Sequence, residues 1–454
     1  MCEHLTSLSE KYPAIAEVLR RQGNESLHNY LTNIGHRSLP DILPAQDLLN
    51  AVQNYLTPFF GTEAAGKAVE TISRYRCLST ANHHHPAFEY MTVQDTILYD
   101  QWLRINGETE NVVPVFAISN VNLKNVVYPR GAIVYDCTLP EKILRLPIFP
   151  TKLRPVCVAG LGGIRPSMCK AAMDRLAQEE RNGTINASMF HAISEYYEDI
   201  LLSESVQKYD TYREQTTVIN ALLSQRYFTD RKPMYMWIDL ESMVSKLLQQ
   251  DLQQEDTILS RVLFDWEVWS RLLIRLDGVS GCWTGVESGT HFFWGLDDHG
   301  ILFPMHLHII GGETVLSGKD SAGCEFAVPF SAESICEQLE KRTILPSMLL
   351  IFLEIHFLRD FTVFGGYYQP TYLSQMRDGI VRTLRERKIF EKEAAIIEAK
   401  ANYMTLGLTY LVRDHGAGTF PVSTAELLEQ PISTPEIGEK LKISVAGAFE
   451  MLSI

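Results

Sequence analysis

Three polar stretches carry side chains able to do chemistry, and each directly follows a short apolar run. The first is Thr80-Ala81-Asn82-His83-His84-His85-Pro86. A neutral imidazole accepts a proton near neutral pH, and His83 and His85 fall on the same side of an extended chain. Read as a site, His83 or His84 takes the proton that an attacking amine must lose, while Thr80 and Asn82 orient the substrate. Read as scaffold, the run is a solvated turn with Asn82 capping the next helix. The second stretch is Ser119-Asn120-Val121-Asn122-Leu123-Lys124-Asn125, followed by Tyr128-Pro129-Arg130-Gly131. Ser119, Asn120, Asn122 and Asn125 offer hydrogen bonds to a polar ligand without adding charge. Arg130 suits a carboxylate or a phosphate. The same residue types also make ordinary turns. The third stretch runs from Phe364 through Gly365, Gly366 and Gln369 to Tyr372. Its glycines let backbone approach a ligand and leave helix N–H groups for an anion, unless they only make a tight turn.

Weaker signals are scattered elsewhere. His306 and His308 alternate along an apolar run and could join His83 or His85 in a zinc site, but no Glu or Cys lies at ligand spacing. No metal is expected. Gly160, Gly162 and Gly163 lack the third glycine and the later acidic residue of a dinucleotide fingerprint, so no nicotinamide or flavin is expected. Asp239, Glu241 and Ser242 read as helix-capping residues. The 8 cysteines include no Cys-x-x-Cys pair and read as reduced, buried thiols, which places the chain in the cytoplasm.

Elements of alternating type must position these stretches. Helical spacing of apolar residues covers Leu5 to Arg21, Gln46 to Leu56 and Glu63 to Tyr75. A strand over Cys77 to Thr80, a helix over Phe88 to Leu103 and a strand over Val112 to Ile118 follow. Gly131 to Pro155, rich in proline, reads as an excursion from the sheet. Helices are expected at Pro166 to Glu180, Ile185 to Leu202 and Tyr212 to Gln225. Met234 to Ile238 reads as a buried strand ending at Asp239, before a helix through Leu252. Cys282 to Val328 is β-rich, with glycines that suit a smaller antiparallel unit. Ile344 to Leu358 reads as a buried helix and Phe361 to Phe364 as a strand. A helix after Gln369, a charged helix over Lys388 to Tyr403 and an irregular tail after Asp414 complete the chain.

Strands alternating with helices predict parallel pairing. The expected fold is α/β, a doubly wound Rossmann-like sheet with a helical N-terminal region and a β-rich subdomain. Its parts are residues 1–76, 77–280, 281–330, 331–410 and 411–454. Parallel sheets bind ligands at the carboxyl ends of their strands, so the three polar stretches should converge on one cleft.

Composition narrows the partners. A formal charge of −14 over 454 residues argues against a role in neutralising nucleic-acid phosphates. The N-terminus lacks the basic start and apolar run of a secretion signal. The most apolar stretch, Ile344 to Leu358, is broken by Glu354 and His356 and is shorter than the roughly 20 residues of a membrane span. A small-molecule substrate is therefore expected, with a homodimer or a neighbouring pathway enzyme as the open choices of protein partner.

Several of these segments resemble the family of bacillithiol cysteine-adding enzymes. They are Tyr55 to Pro86 with Phe60-Gly61-Thr62, Val113-Pro114-Val115-Phe116, Met234 to Leu252, and Leu345 to Gln375 with the double glycine and Tyr372. They keep the family's order over most of the chain. The resemblance implies a ligase-like enzyme of specialised or thiol metabolism that joins an amino-acid-like or thiol substrate to an amine acceptor. ATP is the activating nucleotide it leaves open. A transferase or hydrolase acting on an activated acyl or phosphoryl group, or an inactive scaffold, are the alternatives. The family's Gly-Gly-Gln-Gln turn is Thr80-Ala81-Asn82-His83 here, and its Glu-Asp-His-Asp cluster is Val121-Asn122-Leu123-Lys124. Its Gly-Pro-Gly-Glu turn is Gly366-Tyr367-Tyr368-Gln369, and its C-terminal coiled coil is shortened or absent. Without the acidic cluster the chain is not expected to join cysteine to glucosaminyl-malate, and Lys124 favours a more anionic substrate.

Overall fold

The structure is a computed structural model that describes residues 12–35, 45–139, 141–285, 287–359, 361–400, 404–415 and 418–451. Helices Pro13–Gln22 and Leu27–Asn33 come first. The part of the expected opening helix before residue 12 lies outside the described residues. Helix Gln46–Tyr75 unites two expected helices, with a break at Gly61 (φ 79°) shortly after Pro58. Proline removes a helical N–H and glycine accepts the left-handed φ, so the break falls where the sequence permits it.

Strand β1 (Cys77–His83), helix Tyr90–Ile105 and strand β2 (Val112–Ile118) follow. The excursion holds an antiparallel hairpin of β3 (Gly131–Val134) and β4 (Leu144–Pro147). Helices Pro166–Arg181, Ala187–Glu195 and Tyr212–Ser224 lead on to β5 (Met234–Asp239) and helix Leu240–Asp251. Two-residue strands β6 (Trp283–Thr284) and β7 (Ser288–Gly289) open the β-rich region. It continues with β8 (Phe293–Leu296), β9 (Leu302–Ile310), β10 (Glu313–Lys319) and β11 (Glu325–Pro329). Helix Ala332–Lys341, strand β12 (Ile344–Pro346), helix Met348–Phe352, strand β13 (Thr362–Phe364) and helix Gln369–Arg387 come next. Strands β14 (Val412–His415) and β15 (Gly418–Pro421) pair near the C-terminus.

The fold is mixed α/β around a sheet of order β13-β1-β2-β5, in which every pairing is parallel. Both faces of the sheet are covered, which is why β2 and most of β5 read as apolar runs. Val113, Val115, Tyr235 and Trp237 join one apolar core with Ile97, Trp102 and Leu223. Phe116, Met236 and Ile238 join the other with Val52, Leu56 and Val244.

Two expectations need correction. The segment read as one helix from Ile344 begins instead as β12, which pairs antiparallel with β8 and completes a sheet of order β11-β10-β9-β8-β12. Pro346 cannot donate a helical hydrogen bond but is tolerated on an edge strand, and β12 is the edge. The tail read as irregular contains helices Thr424–Glu429, Thr434–Lys440 and Val445–Glu450. Capping boxes at Ser423/Glu426 and Ser433/Glu436 start the first two, a Ser-x-x-Glu signal present in the sequence. The charged helix is shorter than expected, Glu391–Glu398, and residues 401–403 lie outside the described residues. No helix among the described residues is long and apolar enough to cross a membrane.

Candidate functional site at the carboxyl end of the parallel sheet

The strands β13, β1, β2 and β5 lie side by side and parallel, so Phe364, His83, Ile118 and Asp239 end them at one edge of the sheet. The three polar stretches therefore share that edge. β13, the last of these strands in the chain, lies beside β1 on the side away from β2.

Between those strands the polar groups are bonded to one another. Thr80 Oγ1 lies 3.2 Å from Phe364 O and 3.1 Å from Gln369 Oε1, and Tyr372 Oη donates to the same Oε1 at 3.4 Å. Gln369 is buried, and its amide fills the space beside Gly365, where a Cβ would sit 1.6 Å from Oε1. Gly365 O accepts from Leu406 N and Thr405 Oγ1, both at 3.0 Å. Gly366, by contrast, faces open space. Gly365→Ala should therefore displace Gln369 and lower stability by about 1–3 kcal/mol, the usual cost of overpacking. Gly366→Ala should change the urea midpoint little. Equal midpoints for the two variants would remove this account of Gly365.

The histidine run is interior. His84 and His85 are fully buried and His83 is half-buried, so the solvated-turn reading does not describe it. Asn82 does not cap the next helix. Its Nδ2 donates to Thr96 Oγ1 at 2.9 Å, and Glu89 is the cap. His84 Nε2 lies 2.9 Å from Arg213 O, and His85 Nδ1 lies 2.8 Å from Pro86 O. Burial pushes His83 down to about 4 and His85 to about 3, so both rings are neutral near pH 7. Asn82 Oδ1, His84 Nδ1 and His85 Nε2 are buried and meet no hydrogen-bonding partner among the described residues.

The second stretch divides. Ser119 and Asn120 face β5, whereas Asn122 bridges to Cys157 and Asn125 Oδ1 accepts from Val127 N at 3.1 Å. Arg130 donates to Phe149 O and Thr151 Oγ1, tying down the β3–β4 hairpin. Three of the residues expected at the site thus hold the excursion in place. Gly160 and Gly163 serve packing, since a Cβ would meet Gly300 Cα at 2.5 Å and Gln215 Nε2 at 2.7 Å, whereas Gly162 faces open space. His306 packs edge-on against His291, ring centroids 4.6 Å apart, within the β-rich unit rather than beside His83.

The densest polar cluster lies at the ends of β2 and β5, on residues read from sequence as helix caps. Asp239 makes no side-chain cap. Its Oδ1 lies 2.7 Å from Ser119 Oγ, and its Oδ2 accepts from Ser242 Oγ at 2.6 Å and Arg213 Nη1 at 3.2 Å. Glu241 accepts from Ser119 N at 2.7 Å and Asn120 N at 3.2 Å, and its Oε2 lies 3.0 Å from Ser119 Oγ. Both carboxyl groups are fully buried. One serine hydroxyl carries one proton and can donate to only one of the two carboxyl groups flanking it, and Glu241 is the one whose burial favours the protonated form. Burial and the Asp239 charge push Glu241 up to about 8. Burial also works against the Asp239 charge, but Arg213, His84, Arg342 and the Ser242 hydroxyl hold that carboxyl well below its ordinary range.

This cluster opens into a cavity of about 460 Å³ lined by Tyr55, Arg213, Ser242, Lys246 and Arg342, among others. Arg342 occupies the left-handed position that ends helix Ala332–Lys341, and its Nη1 donates to Ser242 Oγ at 2.9 Å. Sequence reading missed Arg213 and Arg342 because they stand 29 and 100 residues from Ser242, with no local motif. Asp239, polar and directly after a buried strand, was the available signal. Among the described residues no group of three or more His, Cys, Asp or Glu side chains is placed to hold a metal ion. No family model, curated protein or solved structure matches the chain.

Proposed function

We propose that the chain is a ligase-like enzyme of small-molecule metabolism on a doubly wound, Rossmann-like sheet, joining an amino-acid-like or thiol substrate to an amine acceptor. The observation that carries this reading is the acid pair Asp239 and Glu241, with opposite proton demands across Ser119, beside a cavity lined by two arginines. Neighbouring groups whose surroundings push their pKa values apart are the usual acid–base machinery of an enzyme. Ser242 Oγ is the cavity-lining end of the chain Ser242–Asp239–Ser119–Glu241, which fixes the arginines and the charge beside the cavity, while the proton leaving a bound amine goes to Nδ1 of His84, unpartnered among the described residues. His84, neutral and 2.9 Å from the carbonyl of Arg213, adjoins the same network and keeps its place as a candidate base. The arginines suit the carboxylate or phosphoryl group of the electrophile. Amide formation from a free carboxylate needs an activating co-substrate, and ATP is the one proposed.

The transferase or hydrolase reading draws on the same arginine pair, because an activated acyl phosphate would be held in the same way. The purified chain should be incubated with ATP, a panel of amino acids and thiols, and amine acceptors. Products are followed by mass and by phosphate release. We expect a nucleotide-dependent condensation product with an acceptor other than glucosaminyl-malate, formed about 10²-fold more slowly by Ser242→Ala or His84→Ala. Hydrolysis of an acyl or phosphoryl donor without amine transfer would replace the ligase reading by the second. Robust bacillithiol-type condensation of cysteine with glucosaminyl-malate would overturn the claim of altered chemistry.

A further inference from the structure

We infer that Arg213 and Arg342 form a phosphoryl-binding subsite, and that the cavity takes a phosphate monoester of a small polar metabolite. This deepens the reading of the cavity as a substrate site but requires no particular reaction there. Two guanidinium groups converge on one atom, since Arg213 Nη1 and Arg342 Nη1 donate to Ser242 Oγ at 2.8 and 2.9 Å. Like charges so close repel, and burial together with Arg213 pushes Arg342 down from its ordinary value. The protein compensates only one of them directly. Asp239 pairs with Arg213, whereas Arg342 makes no ion pair with a carboxylate among the described residues. Arg213 Nε and Arg342 Nη2 are buried without an acceptor. Burial favours the protonated form of Glu241, which reduces the negative charge in the first turn of helix Leu240–Asp251. That turn carries the positive end of the helix dipole, and Ser242 lies on it.

An under-compensated pair of arginines lining a cavity calls for an anion, and the geometry chooses its kind. A carboxylate has two coplanar oxygens, which one guanidinium satisfies in a bidentate pair. A phosphate monoester has three terminal oxygens and close to two charges, enough for two guanidinium groups approaching from different directions. The cavity, about 460 Å³, is larger than phosphate alone needs and lies within the ordinary range of metabolite sites. Asn50, Asn54, Tyr55 and Gln249 also line it and offer uncharged donors and acceptors for hydroxyl groups, and Lys246 adds a third cation against the single carboxylate of Glu340.

Titration calorimetry on the intact chain tests this with glucose 6-phosphate, glucose, inorganic phosphate and malate as probes. We expect glucose 6-phosphate to bind at least about ten-fold tighter than glucose or malate, with inorganic phosphate competing for the same site. Arg342→Gln should weaken glucose 6-phosphate binding by about ten-fold or more, the scale of a lost charged hydrogen bond. Arg342→Lys, which keeps the charge but not the fork, should recover only part of it and covers the case in which Arg342→Gln does not fold. Malate binding as tightly as the phosphate ester, or unchanged affinity in Arg342→Lys and Arg342→Gln, would overturn the proposal. Phosphate binding without condensation would remove the ligase reading and leave this one intact. Condensation unaffected by Arg342→Gln would do the reverse.

Discussion

Arg359→Met is expected to destabilise the protein by about 3–5 kcal/mol, because it strands buried carboxylates that one guanidinium now compensates. Arg359 is fully buried. It donates through Nε to Asp47 Oδ1 at 3.0 Å and through Nη2 to Asp251 Oδ2 at 3.0 Å, and it pairs through Nη1 with Glu354. These partners stand near the start of helix Gln46–Tyr75, at the end of helix Leu240–Asp251 and in the π-helical segment Leu353–Phe357. A single side chain therefore clamps three elements that meet on one face of the sheet. Burial pushes the Glu354 carboxyl up to about 8, against the pull of Arg359 and with Asp251 beside it. An acid whose folded pKa is raised contributes stability that is full below its ordinary value and is lost as pH rises through the raised one. Removing Arg359 raises that pKa further, so the deficit should be larger at pH 9 than at pH 5, because above about 8 Glu354 ionises in the folded wild type and not in the variant. Urea unfolding at the two pH values measures it. A deficit under about 1 kcal/mol that does not change with pH would mean that the cluster contributes little.

Asp239→Asn should cost about 3 kcal/mol at pH 6, with a deficit that narrows at both acid and alkaline pH. Asp239 holds Arg213, Ser242 and Ser119 together, and its neutral amide would leave the Arg213 charge without a counterion. The Asp239 carboxyl is held low, so its contribution is present above its ordinary value and is lost as pH falls below it. The acid limb of the deficit follows. Glu241 behaves in the opposite sense. Its carboxyl is raised to about 8 by burial and by the Asp239 charge, so wild-type stability is lost as pH rises through about 8. In Asp239→Asn that charge is gone, Glu241 ionises more readily, and the alkaline loss shrinks. Guanidinium unfolding at pH 3, 6 and 9 should give the largest difference between the two proteins at pH 6. A difference independent of pH would remove the proposed coupling between the two acids.

The two clusters behind these expectations differ in how far the chain itself announces them. Val112 to Ile118 and Met234 to Asp239 are legible as buried parallel strands because both faces of the sheet are covered, which leaves no polar alternation. Helix Tyr212–Ser224 is legible through its apolar spacing. The placement of Thr80 to His85, Ser119 to Asn125 and Gly365 to Gln369 along one edge follows from strand direction alone, once the strands are parallel. The C-terminal helices were also within reach, through Ser423 and Glu426 and through Ser433 and Glu436, whose spacing is local.

Signals that act over four residues or fewer, together with apolar periodicity, are determined by the sequence itself, because the backbone geometry that reads them is the same in every fold. That class includes the strands of the parallel sheet, most of the helices, the capping boxes of the C-terminal helices and the edge of the sheet where polar groups collect. Tertiary structure alone decided which of those polar groups meet. Arg342 reaches Ser242 across 100 residues, Ser119 reaches Asp239 across 120, and Arg359 reaches Asp47 across 312. Burial is likewise a property of the packed whole, so His84 and His85 become interior only when helix Tyr212–Ser224 closes over them through Arg213 O and Asn220. Ile344–Pro346 becomes a strand because Phe293–Gly295 offers it an edge. In each case the deciding partner lies far along the chain, and charge, proton demand and strand pairing are settled by that partner rather than by the neighbouring residues.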